Sequence, residues 1–122
     1  MSEVGTNTEL LVTCLHDMAD GEEQLADRLG KIAAHATDER LSEAFGAIVE
    51  RAAAFARRFH EAASAVEAPE PDADNIWMRG ILDDAERDTE TIARGRLLDI
   101  ALVGAIRKAL ASEIVSYETA MA

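Results

Sequence analysis

Residues 11–36 read LVTCLHDMADGEEQLADRLGKIAAHA, and an inward position recurs every three or four residues: Leu11, Leu15, Met18, Glu22, Leu25, Leu29, Ile32 and Ala36. That spacing places all of them on one helix face, the seam of a bundle core. Every member is apolar or small except Glu22, a carboxylate where a leucine belongs. Burying a carboxylate without compensation costs on the order of several kcal/mol, so its partner decides how the fold is read. A metal ion shared between glutamates is one solution, and an arginine is another.

Working outward, Thr6 and Glu9 form a capping box that opens a helix over residues 7–36. Thr37 and Asp38 restart a helix over 38–66 with its own seam: Leu41, Phe45, Ile48, Ala52, Phe55, Phe59, Ala62 and Val66. Two long helices joined by so short a turn lie antiparallel. The stretch 67–74, with Pro69 and Pro71, is the linker. Asp74 or Asn75 caps a third helix over 75–94 that carries Trp77, Met78, Ile81, Leu82, Ala85 and Ile92, and Gly95 ends it. A fourth spans 97–121 with Val103, Ile106, Leu110, Glu113, Tyr117 and Ala120 inward, so a second carboxylate sits in a second seam.

The expectation is an all-α, antiparallel four-helix bundle in a single domain over residues 1–122. An eight-residue linker reaches at most about 28 Å, whereas the second helix is about 42 Å long. No crossover along the bundle fits, and up-down-up-down follows.

Charge narrows the function. A formal net charge of −12 repels nucleic acid and anionic membrane surfaces. No stretch reaches the roughly twenty apolar residues of a membrane span, and the N-terminus carries no signal-peptide pattern, so the expected location is the cytoplasm. Cys14, the only cysteine, permits no internal disulfide and reads as a buried, inert thiol. The dispersed glycines form no phosphate-binding loop, and Phe45, Phe55 and Phe59 read as core. Asp83, Asp84, Glu86 and Asp88 read as a solvated face, with Asp84 and Asp88 beside the apolar stripe of the third helix.

Counting from the short turn, Glu22 and Arg51 each lie about 14 residues away and face each other at one level. Asp84 and Glu113 converge near the same depth, giving a buried polar cluster of Glu22, Arg51, Asp84 and Glu113. A two-metal bundle site needs a glutamate from each of two helices and a Glu-x-x-His pair from each of the others. His16, His35 and His60 are preceded at that spacing by Thr13, Ile32 and Arg57, so none fits. They read as surface residues, with His16 pairing Asp20 and His35 pairing Glu39.

The order of these elements resembles the ferritin-like YciE/YciF-type stress-response family. The stretch Met18-Ala19-Asp20-Gly21-Glu22-Glu23-Gln24-Leu25 is similar to its first-helix motif, and Leu41-Ser42-Glu43-Ala44-Phe45 to the start of its second helix. Met78-Arg79-Gly80-Ile81-Leu82-Asp83-Asp84 is similar to its third element. Asp99, Ala101-Leu102-Val103, Lys108, Glu113-Ile114, Tyr117 and Thr119 match its last motif. Two departures stand out. Where the family carries a histidine and paired glutamates on the second helix, this chain has Ile48, Glu50 and Arg51, and the Glu-His-Tyr-Glu of the last helix reads Leu110, Ala111, Ser112, Glu113. The family also commonly continues past the tyrosine motif, whereas this sequence stops at Ala122, leaving an apolar face that favours a homodimer.

The resemblance implies a ferritin-like bundle, and it carries over only Glu22, Asp83 or Asp84, and Glu113 as metal ligands. Glu50 survives but faces outward. The reading adopted is a structural or partner-binding bundle with a degenerate metal site and no cofactor, Arg51 supplying the charge of the missing metal. The alternative is an iron- or manganese-dependent oxidoreductase with Glu22, Asp84 and Glu113 as ligands. Nothing in the residues names a small-molecule ligand or substrate.

Overall fold

In the computed structural model the chain forms four α-helices: α1 (Asn7–Ala33), α2 (Glu39–Ser64), α3 (Ile76–Thr91) and α4 (Arg96–Met121). The structure describes residues 4–66 and 74–122, and among these there is no strand. The expected linker 67–74 lies outside the described residues except for Asp74.

Three of the four helices begin where a side chain satisfies free backbone N–H groups. Thr6 Oγ1 accepts from Glu9 N at 3.1 Å and donates to Glu9 Oε1 at 2.9 Å. Asp38 accepts from Leu41 N at 3.1 Å, and Asn75 from Met78 N at 2.9 Å. α4 has no side-chain cap. It starts instead from Gly95, whose φ of 143° lies in the region that L side chains avoid. Gly95 therefore sets the α3–α4 corner, and α3 itself ends earlier, at Thr91.

Cross-helix contacts fix the topology. Asn75, Asp83 with Glu86, and Arg94 meet Asp20, Arg28 and Ala34 in turn, so α3 runs parallel to α1. Asp99 meets Thr37 and Asp38, and Glu113 meets Arg51, so α4 runs parallel to α2. The bundle is up-down-up-down, and α1 packs against all three other helices.

The core joins Leu25, Leu29, Ile32, Phe45, Met78, Leu82, Leu98, Leu102 and Ile106. Small residues, Ala19 on α1 with Ala52 and Ala56 on α2, are fully packed and let the first two helices approach closely. Three expected inward positions are displaced. Leu11, Ala62 and Val103 are exposed, and the neighbours Val12, Ala63 and Leu102 are buried in their place. A straight helix drifts by about 20° per heptad from a strict seven-residue repeat, so a seam read by fixed spacing slips near helix ends. Trp77, also expected inward, is 79% exposed at the first turn of α3.

α3 has 16 residues against 26 or 27 in the others. At 1.5 Å per residue it is about 15 Å shorter. α3 therefore does not run the full length of the bundle, and its first turn meets α1 at Asp17 and Gly21, ten residues or more into that helix.

Candidate functional site

Glu22 and Glu113 are the two acids inside the described part of the bundle, 1% and 7% exposed. α1 and α4 bring them together from opposite sides, and Tyr117, one helical turn beyond Glu113, shares that residue's face. The Tyr117 hydroxyl contacts Glu22 Oε1 and lies 3.2 Å from Glu113 Oε2. Its ring is wedged against Phe55 and Phe59, with centroids at 6.5 and 5.6 Å. These two phenylalanines are only half-buried.

A single hydroxyl carries one proton and can donate to only one acid at a time. Two ionised carboxylates around it would leave lone pairs facing each other. Glu22 Oε2 indeed meets no donor among the described residues. A proton held by Glu22 resolves the conflict. Burial, first of all, and then the hydrogen bond shared with Glu113 raise Glu22 from the ordinary 4.5 to about 8. Tyr117 is pushed upward as well, chiefly by burial and next by its bond to Glu22, so its phenol stays neutral.

Arg51 does not hold Glu22. Its Nη2 lies 3.2 Å from Glu113 Oε1, its side chain is 43% exposed, and its guanidinium rests over the Phe55 ring at 5.7 Å. Its effect on Glu22 is the weakest of those acting there. Glu22 and Arg51 stand at equal residue count from the turn without meeting, because inclined helices do not keep equal depth at equal count. Asp84 also leaves the expected cluster. It is 58% exposed and faces Lys108 Nζ at 4.0 Å, while its neighbour Asp83 joins Glu86 on Arg28 at 2.6 and 2.9 Å. From α3 the core takes Met78, Leu82 and Ala85 instead.

The histidines lie away from the acids. His60 bonds Glu23, and His16 stands edge-on to it at 6.3 Å. Asp20, the expected partner of His16, is committed elsewhere, accepting from Asn75 N and Gln24 Nε2, each at 2.7 Å. His35 is exposed, and no bond to Glu39 is formed. Cys14 is partly buried, and burial followed by the nearby Asp17 raises its thiol, so the thiolate is disfavoured. Glu50 is exposed, as its helical position implies.

One docking contact escaped the pattern altogether. Asn75, 6% exposed, seats the first turn of α3 on α1 over Gly21, where an added Cβ would lie 2.5 Å from Asn75 Nδ2. A glycine inside a strong helix was the available signal, since it commonly marks close approach.

Do these residues fit a metal? Two carboxylates and a neutral phenol fall short of the carboxylate and imidazole set of a two-metal site. Among the described residues no three His, Cys, Asp or Glu gather closely enough to hold an ion. The void beside Glu22 and Glu113 measures about 10 Å³. That is roughly one water, with no room for an organic substrate.

Over residues 6–122 the sequence matches the family described as Domain of unknown function (DUF892). No curated protein matches it.

Proposed function

This chain belongs to the DUF892 family, and on that footing we propose that it is a structural or partner-binding bundle, with a degenerate metal site in which a proton has taken the place of the metal. One observation carries the reading: the two buried acids are bridged by the Tyr117 hydroxyl rather than by imidazole ligands. The motifs of the YciE/YciF-type proteins support a stress-associated role in the cytoplasm. The outer face of α4, with Ile100, Val103 and Ile114 exposed, supports self-association as a homodimer. Among the described residues no helix is long and apolar enough to cross a membrane.

A second reading keeps one point in its favour. The unpartnered Glu22 Oε2 is what a hard cation between Glu22 and Glu113 would satisfy, and that arrangement is the starting point for an iron- or manganese-dependent oxidoreductase. Asp84 cannot be its third ligand from the position it occupies. Elemental analysis of protein purified without chelator separates the readings. The proposal expects iron and manganese far below one per chain, equal in wild type and Glu22→Ala. Stoichiometric metal that disappears in Glu22→Ala would establish the second reading instead.

A further inference from the structure

Where α3 stops short, a groove of about 560 Å³ opens between α1, the first turn of α3 and the late part of α4. Its walls include Met18, Ile81, Ala111 and Val115, and Trp77 stands on its rim. The size lies within the range of small-molecule sites, as does the pattern of an apolar surface with few polar groups.

Among the described residues, two charged side chains line it, Asp17 and Lys108. Lys108 already faces Asp84 at 4.0 Å and is 66% exposed, so its charge is directed at an acid and at water. Asp17 forms no ion pair among the described residues. Its carboxyl is pushed upward by partial burial and then by the carboxylates of Asp20 and Asp74. Asp74 is taken by Arg79 at 2.8 Å, and Asp20 by Asn75 and Gln24. The unmet charge in the groove is therefore negative, in a chain of formal net charge −12. An exposed indole beside it offers a cation a π face.

We propose that this groove binds a small amphipathic organic cation, its ammonium head against Asp17 and the indole of Trp77 and its hydrocarbon body along Met18, Ala111 and Val115. Trp77 is the only tryptophan, so its fluorescence reports on the groove directly. Octyltrimethylammonium and octanoate, titrated below their micellar concentrations, present the same chain with opposite heads. The expected result is a saturable shift of Trp77 emission with octyltrimethylammonium and binding weaker by about tenfold or more with octanoate. Asp17→Asn should weaken the cation by about tenfold and leave octanoate binding no weaker than in wild type. Lys108→Ala should leave the cation unchanged, and Val115→Arg should abolish binding while circular dichroism shows an intact helical fold. Equal affinity for the two heads, a preference for octanoate, an unaltered Asp17→Asn variant or an emission change that never saturates would each overturn the proposal.

Discussion

The smallest unit that explains this protein is the hydroxyl of Tyr117. Removing it in Tyr117→Phe leaves a buried acid without its donor, and urea unfolding should report a loss of about 1–3 kcal/mol. Arg51→Ala should cost much less, about 1 kcal/mol, because the pair with Glu113 is half open to water and the stacking on Phe55 adds little. A loss of several kcal/mol for Arg51→Ala would restore arginine as the compensating charge. The burial of Glu22 and Glu113 was legible in the sequence, since three-and-four spacing alone puts them inward. Their partner was not. Tyr117 was visible as an inward position, but choosing between Tyr117 and Arg51 requires knowing how far α2 and α4 slide past α1, which no residue count supplies.

At the scale of elements, the caps at Thr6, Asp38 and Asn75 were readable because a short polar side chain before an apolar repeat has a local meaning. How α3 docks was not, because the contact between Gly21 and Asn75 joins residues far apart in the chain. Gly21→Ala tests it. Alanine favours a helix over glycine by about 1 kcal/mol, yet its Cβ would displace an amide held by Met78 N and Asp17 O. A net loss of about 1–2 kcal/mol is expected, and a stabilised variant would show that the contact is not tight. The corner between α1 and α2 depends on Asp99, which accepts from Thr37 N and Oγ1 at 2.8 Å and from Asp38 N at 3.1 Å. Hydrogen bonds from Thr37 hold the Asp99 carboxyl below its ordinary 3.8. Its contribution is therefore present above that value and lost as pH falls through the lower, folded one. Asp99→Ala should lower Tm at neutral pH, and the gap from wild type should close in strong acid.

For the molecule as a whole, the direction of the chain followed from one length comparison, and the contacts from α1 to α3 and from α2 to α4 agree with it. What covers α4 did not follow, because a helix with apolar residues on nearly every face has no single inward stripe to read. Ile114, 57% exposed, lies on that outer surface. Sedimentation of wild type should show a dimer, and Ile114→Glu should sediment as a folded monomer; a wild-type monomer would remove self-association from the account. At the centre of the bundle, Glu22 is held by a proton. A carboxyl raised in the folded state contributes most below its unfolded value of 4.5, and the contribution fades as pH climbs toward about 8. The limiting slope for one proton is about 1.4 kcal/mol per pH unit. The most direct measurement is urea unfolding of wild type and Glu22→Gln, with and without chelator, at pH 5 and pH 8.5. The account predicts similar stabilities at pH 5, an amide variant at least as stable as wild type at pH 8.5, and no effect of chelator. A variant clearly weaker at pH 8.5, matched by wild type once chelator is added, would contradict it and place a cation on Glu22.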